Sequence, residues 1–95
     1  MRPSEALKLH KDAILEVLAR YPVKNPMLYG SVLKGKDTEE SDIDIMVEKT
    51  GRLTLFDLQE IEDELFKVTG VKVDVRTSGD FSDRVKKYID FSPLQ

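Results

Sequence analysis

The apolar residues of this chain alternate between helical and strand spacing. A first helix is predicted from Ser4 to Tyr21, with Ser4 as its N-cap and Pro22 just after its end. A second helix is predicted before Gly70, the residue type favoured just past a helix C-terminus. Its apolar stripe consists of Leu55, Leu58, Ile61, Leu65 and Val68. A last helix is suggested by Phe81, Val85 and Tyr88 or Ile89, before a tail that contains Phe91 and Leu94.

Three short segments have the composition of β-strands. The first is Met27-Leu28-Tyr29, which ends at Gly30-Ser31, and the others span residues 42–48 and 71–75. Residues 31–40 are predicted to form a turn or a short helix with a charged loop. The elements therefore follow in the order αβ(α)βαβα. This order predicts an α/β (α+β) protein, in which a small mixed sheet of three or more strands packs against helices.

Carboxylates lie on one face of two of these strands. Because successive strand side chains point to opposite faces, Asp42 and Asp44 share a face and the intervening Ile43 points to the core. Asp74 similarly lies opposite the valines of the third strand. If the two strands are neighbours, Asp74 stands beside Asp42 and Asp44. Carboxylates this close repel one another unless a cation offsets them, and Mg²⁺, as one or two ions, is the cation that prefers such oxygen ligands.

Gly30 and Ser31 are suited to hold a negatively charged phosphate. Gly30 has no Cβ, so a phosphate can approach its backbone closely, and Ser31 offers a hydroxyl and an N–H. Lys34 and Lys36 follow as cations that either balance phosphate charge or are simply solvated. Gly30-x-x-x-x-Gly35-Lys36 also matches most of a Walker A loop. That match fails at Asp37, where Ser or Thr should stand, and in a context that leads to a strand rather than a long helix.

Composition limits what such a site can belong to. The 95 residues, 40% of them hydrophobic, support one small domain spanning residues 1–95. A formal net charge of -3 argues against indiscriminate nucleic-acid binding, so no direct nucleic-acid contact is expected. Cysteine is absent, which excludes disulfides and thiolate sites and fits a reducing compartment. The charged N-terminal segment predicts neither a signal peptide nor a membrane span. We therefore expect a soluble, cytoplasmic protein.

The combined pattern resembles the minimal nucleotidyltransferases (MNT) of the DNA polymerase β superfamily. Their motif is Gly-Ser, ten residues, and Asp-x-Asp, with a third Asp on a later strand. Here it corresponds to Gly30-Ser31, Asp42-Ile43-Asp44 and Asp74. Lys34 stands where the family commonly has Arg. The resemblance covers nearly the whole chain and implies a polymerase-β-like nucleotidyltransferase fold.

The resemblance also implies a reaction. Asp42 and Asp44 would ligate Mg²⁺, Asp74 would complete one metal site and assist deprotonation of the acceptor hydroxyl, and Gly30 and Ser31, with Lys34, would bind the nucleotide. Small stand-alone members of this superfamily typically pair with a HEPN-domain toxin. The chain would then be an antitoxin in a hetero-oligomer. It would neutralise that toxin by transferring AMP from ATP to one of the toxin's tyrosine hydroxyls, by binding the toxin, or by both.

Two other functions remain open from the sequence. The first is a non-catalytic module that sequesters its partner, for which Phe81, Phe91 and Leu94 are candidate contacts, although they could equally cover the sheet or the second helix. The second is nucleotidyl transfer to a small molecule, although no segment forms an obvious acceptor pocket. The intact Asp42, Asp44 and Asp74 favour catalysis over pure binding.

Overall fold

The computed structural model describes residues 1–94, which fold around one mixed β-sheet. Three helices, four strands and one 3₁₀ turn follow one another along this part of the chain. Their bounds are α1 Pro3–Leu18, β1 Val23–Tyr29, β2 Ile43–Lys49, α2 Leu55–Thr69, β3 Val73–Thr77, the 3₁₀ turn Ser78–Asp80, α3 Asp83–Lys86 and β4 Ser92–Pro93. Among these elements, no helix is long and apolar enough to cross a membrane.

The sheet has the strand order β3-β2-β1-β4. Strands β2 and β3 are parallel and are joined by α2, whereas β1 pairs antiparallel with both β2 and β4. A parallel pair needs such a crossover, because a tight turn can join only antiparallel strands. The prediction of a small mixed sheet packed against helices is confirmed, with a fourth strand added to the predicted three.

The hydrophobic core lies between one face of the sheet and the two long helices. Strands β2 and β3 contribute alternate residues to this face, and α1 and α2 each contribute one stripe. The core residues of the strands are Ile43, Ile45, Val47, Val73 and Val75, and those of the helices are Ile14, Val17, Leu18, Ile61 and Leu65. Because the core residues of β2 and β3 use one face, Asp44 and Asp74 of these strands lie on the other face.

The ends of the two long helices differ in part from the prediction. Helix α1 begins at Pro3 with Arg2 as its N-cap, so the assignment of Ser4 as N-cap was wrong. Proline is favoured at the first helical position because its fixed φ suits a helix and it has no N–H to satisfy. The helix ends at Leu18, and Tyr21 lies beyond it with its hydroxyl donating to Glu64 Oε2 at 2.9 Å.

Helix α2 ends as predicted, with Gly70 in the left-handed conformation at a φ of 73°. Thr54 caps its start by accepting the Asp57 N–H. Leu55, however, was wrongly assigned to the buried stripe, because its side chain is 83% exposed. As the first residue of the helix, Leu55 projects beyond the edge of the core.

The C-terminal segment differs most from the prediction. The predicted last helix, through Phe81, Val85 and Tyr88 or Ile89, is shortened to the four-residue helix α3 after the 3₁₀ turn, and both Val85 and Tyr88 are exposed. Leu94 is buried in the core at 3% exposure, so the suggestion that it forms part of a contact patch was wrong. The segment adds β4 as an edge strand of the sheet and does not add a third helical layer.

Candidate active site

The predicted carboxylates meet at one end of strands β2 and β3. Asp44 and Asp74 occupy paired positions of these parallel strands, and Tyr29 of β1 pairs with Asp44 on its other side. Asp42 lies one residue before β2, which begins at Ile43 and not at Asp42 as predicted. Because Asp42 and Asp44 flank one residue of extended chain, both are positioned away from the helices that cover the other face.

Burial and neighbouring negative charges both disfavour the ionised form of Asp44. Burial raises the pKa of the Asp44 carboxyl, and the neighbouring charges of Asp74 and Asp42 raise it further. The Arg76 guanidinium opposes this increase. A half-buried carboxyl among like charges is stabilised by an added cation, which would lower its pKa.

The turn after β1 lies directly against Asp44. Gly30 has a φ of 81°, and a Cβ at this position would overlap Asp44 Oδ2. An L-amino acid with a side chain would therefore be strained here and would displace the carboxylate. Glycine at position 30 thus meets two requirements, a left-handed backbone conformation and close packing against Asp44.

Residues 31–35 continue from Gly30 as a series of turns. The Lys34 N–H donates to the Gly30 carbonyl at 3.2 Å, and the Lys36 N–H donates to the Ser31 carbonyl at 2.9 Å. Ser31 is partly buried, whereas both lysines are exposed. A P-loop would open a long helix here, so the turns agree with the rejection of a Walker A loop.

Asp37 anchors this loop to the first helix, a role that the sequence did not reveal. Its carboxylate Oδ2 accepts the Ser4 N–H at 2.9 Å, and the residue is 6% exposed. This hydrogen bond from Ser4 lowers the pKa of Asp37. Because the two residues are 33 positions apart, no local pattern could have predicted the contact.

Glu62 of α2 is a fourth carboxylate near the cluster and was also missed. Its Oε2 accepts the Val75 N–H of the edge strand β3 at 2.8 Å. Burial raises the pKa of Glu62, the hydrogen bond from Val75 lowers it, and the neighbouring Asp74 raises it again. From sequence alone, Glu62 is one of many acidic residues on an amphipathic helix.

An aromatic cluster borders the carboxylates on the β1 side. Tyr29 packs against Phe81 and Phe91, with ring centroids 5.4 and 5.5 Å away. Burial, followed by the charges of Asp44 and Asp74, raises the pKa of Tyr29 to about 12. Phe81 and Phe91 therefore cover the sheet beside the site, which was one of the two roles left open for them.

The carboxylate oxygens are of the chemical type that binds divalent cations, but these side chains are not arranged as a metal-binding site. Within residues 1–94, no three Asp, Glu, His or Cys side chains form a ready metal-binding group. Asp74 Oδ2 is 3.0 Å from Arg76 Nε, and Asp42 Oδ2 is 3.8 Å from Lys72 Nζ. The donors are the hard oxygens that Mg²⁺ prefers, and cationic side chains now offset their charge. A metal ion would have to replace these pairings.

Residues 10–93 match the nucleotidyltransferase domain family. The chain belongs to this family. Its membership confirms the resemblance drawn from Gly30-Ser31, Asp42-x-Asp44 and Asp74, and it identifies the chain as a nucleotidyltransferase. The match includes all of the predicted site residues.

Similar sequences occur in Methanocaldococcus jannaschii. The protein MJ1379 is 40% identical over 75 residues, which are 77% of this chain and 72% of MJ1379. The protein MJ0126 is 34% identical over 87 residues, which are 90% of this chain and 86% of MJ0126. Both are named as protein adenylyltransferases.

Solved structures share the fold of this nucleotidyltransferase. A minimal nucleotidyltransferase superimposes with a TM-score of 0.82 at 27% identity, covering 95% of this chain and 94% of that one. A toxin–antitoxin structure with AMP-PNP gives 0.75 at 22% identity, covering 90% and 72%. A complex of a tri-AMPylated Shewanella oneidensis HEPN toxin with an MNT antitoxin gives 0.69 at 21% identity, covering 93% and 71%. The MNT fold predicted from the sequence is confirmed.

Proposed function

We propose that this chain is a Mg²⁺-dependent protein adenylyltransferase that modifies a tyrosine hydroxyl of a HEPN-type partner and acts as its antitoxin. Residues 1–95 would serve as one minimal nucleotidyltransferase domain. The observation that carries the proposal is the alignment of Asp44 with Asp74, beside a glycine turn in contact with Asp44. Such an arrangement places a turn that can bind phosphate next to carboxylate oxygens that can bind a metal ion.

Each residue has a distinct role in this proposal. The backbone of Gly30 and the hydroxyl and N–H of Ser31 bind the terminal phosphates of ATP, and Lys34 balances their charge. Asp42 and Asp44 hold Mg²⁺, and Asp74 completes the site. When bound, Mg²⁺ supplies charge neutralisation at the phosphates and at the leaving pyrophosphate.

The chain's own groups position an in-line displacement. The acceptor hydroxyl oxygen forms a bond to the α-phosphorus while the bond from that phosphorus to the bridging oxygen of pyrophosphate breaks. Asp74 assists removal of the hydroxyl proton, and pyrophosphate departs with the bridging electron pair. The products are an adenylylated hydroxyl and pyrophosphate. No protein nucleophile is needed, because catalysis comes from orientation and charge stabilisation.

The partner is inferred from two comparisons with related proteins. The relatives named as protein adenylyltransferases support a protein acceptor. The neighbouring structure of a HEPN toxin in complex with an MNT antitoxin supports a HEPN-type partner.

Two labelled forms of ATP test the proposal. The chain, Mg²⁺ and a co-expressed HEPN-domain partner are incubated with ATP labelled at the α- or the γ-phosphate. We expect the partner to retain the α-label and not the γ-label, because pyrophosphate carries the γ-phosphate away. Retention of the γ-label would indicate a kinase reaction, and a stable complex without label would favour sequestration by binding. Label on small hydroxylated compounds without the partner would favour small-molecule transfer.

A further inference from the structure

Arg76 lies beside Asp74 on the same face of β3. Its Nε donates a hydrogen bond to Asp74 Oδ2 at 3.0 Å, and the two groups form an ion pair. The residues are two positions apart on a strand, so their side chains leave the sheet in the same direction. The guanidinium therefore occupies one of the two carboxylate oxygens through which Asp74 would ligate a metal ion.

We propose that Arg76 is a built-in counter-ion, which pairs with Asp74 in the metal-free protein and must release it when a divalent cation binds. The inference rests on the proposed function, because it takes Asp74 as a metal ligand. Mg²⁺ demands near-octahedral oxygen ligands at about 2.0–2.1 Å. A guanidinium bonded to the same oxygen obstructs that geometry and repels the ion. Arg76 and the cation thus compete for Asp74.

The position of Arg76 allows this exchange. Strand β3 is an edge of the sheet, and the Arg76 side chain is 57% exposed compared with 31% for Asp74. The guanidinium can therefore move into water without opening the core. The opposing effect of Arg76 on the Asp44 pKa indicates that its charge acts on more than one carboxylate of the cluster.

Binding of Mn²⁺ to the nucleotide-free protein measures the competition directly. The free Mn²⁺ signal in electron paramagnetic resonance reports binding without any catalysis. Replacing Arg76 by methionine (Arg76→Met) keeps an unbranched apolar stem and removes the guanidinium with its charge. We expect the dissociation constant for Mn²⁺ to fall about two- to fivefold, the range that corresponds to an exposed ion pair. Arg76→Gln, a second neutral variant, should show the same direction.

Two control variants isolate the Asp74 contact. Arg84→Met removes the same charge from α3 but leaves the Asp74–Arg76 pair intact, so its Mn²⁺ affinity should equal that of the wild type. Adding Asp74→Asn to Arg76→Met should abolish the gain. Affinity that is unchanged or weaker in both Arg76→Met and Arg76→Gln would overturn the inference while leaving the proposed function standing. Failure of the wild type and every variant to bind Mn²⁺ would contradict the proposed metal site itself.

Discussion

Gly30 and Gly35 both have a left-handed backbone, but their surroundings differ. Their φ values are 81° and 69°. A Cβ on Gly30 would overlap the Asp44 carboxylate, whereas a Cβ on Gly35 would meet nothing within 4 Å. The two glycines therefore separate the cost of backbone strain from the cost of moving a proposed metal ligand.

Alanine substitutions at Gly30 and Gly35 measure these two costs separately. Gly30→Ala and Gly35→Ala should each lose about 1–2 kcal/mol in free energy of unfolding, because an L-residue is strained in the left-handed region. Gly30→Ala should in addition reduce adenylyl transfer about a hundredfold, since it displaces Asp44. Urea unfolding and α-label transfer measure the two effects. Equal transfer rates for the two variants would show that close packing of Gly30 against Asp44 is unimportant.

At the residue scale, the sequence predicted what depends on local pattern. The alternation in 42–48 and 71–75 located Asp44 and Asp74 on one face, and strand pairing brought them into register. Asp37 and Glu62 were missed because their partners, Ser4 and Val75, lie 33 and 13 residues away. Such contacts depend on how the helices, strands and loops pack together, and a short stretch of sequence carries no information about that packing.

At the scale of elements, Asp37 joins the turn-rich loop to the N-terminus of α1. A carboxylate at this end of a helix satisfies a free N–H and interacts favourably with the helix dipole. The loop carries Gly30, Ser31 and Lys34, so its attachment to α1 also limits movement of the proposed phosphate site. Leu55, in contrast, shows how a prediction based on the spacing within one helix can fail. Its spacing fits the stripe of α2, but its position at the helix end leaves it exposed.

Asp37 should contribute to the stability of the protein in a pH-dependent manner. Its pKa is lowered in the folded state, so its stabilisation is complete above the unfolded Asp pKa of about 3.9 and is lost as the pH falls through the folded value. Asp37→Asn should lower the free energy of unfolding by about 0.3–1 kcal/mol at pH 7. The difference from the wild type should shrink below about pH 4.

Urea unfolding at a series of pH values measures this difference. Asp12→Asn, on the exposed face of α1, is the matched control and should track the wild type throughout. A difference between Asp37→Asn and the wild type that persists unchanged at pH 3 would mean that the Asp37 charge does not stabilise the helix.

At the scale of the whole molecule, the C-terminal segment completes the sheet and the core. Strand β4 pairs with β1, and the Leu94 N–H donates to the Pro26 carbonyl at 3.0 Å. Leu94 then enters the same core as α1 and α2. A two-residue strand is too short to show alternation of apolar and polar residues. The sequence pattern therefore suggested a helix in this segment and did not reveal that a strand pairs with β1.

Leu94 and Leu55 form a matched pair for testing this closure. Leu94→Ala should lower the free energy of unfolding by about 2–5 kcal/mol, because it removes a buried side chain and leaves a cavity. Leu55→Ala should change it by less than about 0.5 kcal/mol, because Leu55 is exposed. Thermal and urea denaturation compare the two variants. A similar small effect for both would contradict the assignment of Leu94 to the core.

The intact mass of a HEPN-domain partner co-expressed with this chain tests the central claim most directly. With the wild type, the partner should gain the mass of one or more adenylyl groups. With Asp44→Asn, modification should fall at least about a hundredfold while the complex persists, because a metal-ligating charge is lost. Asp83→Asn, on the exposed helix α3, should behave as the wild type. An unmodified partner in a stable wild-type complex, or equal modification with Asp44→Asn, would contradict the proposed adenylyl transfer.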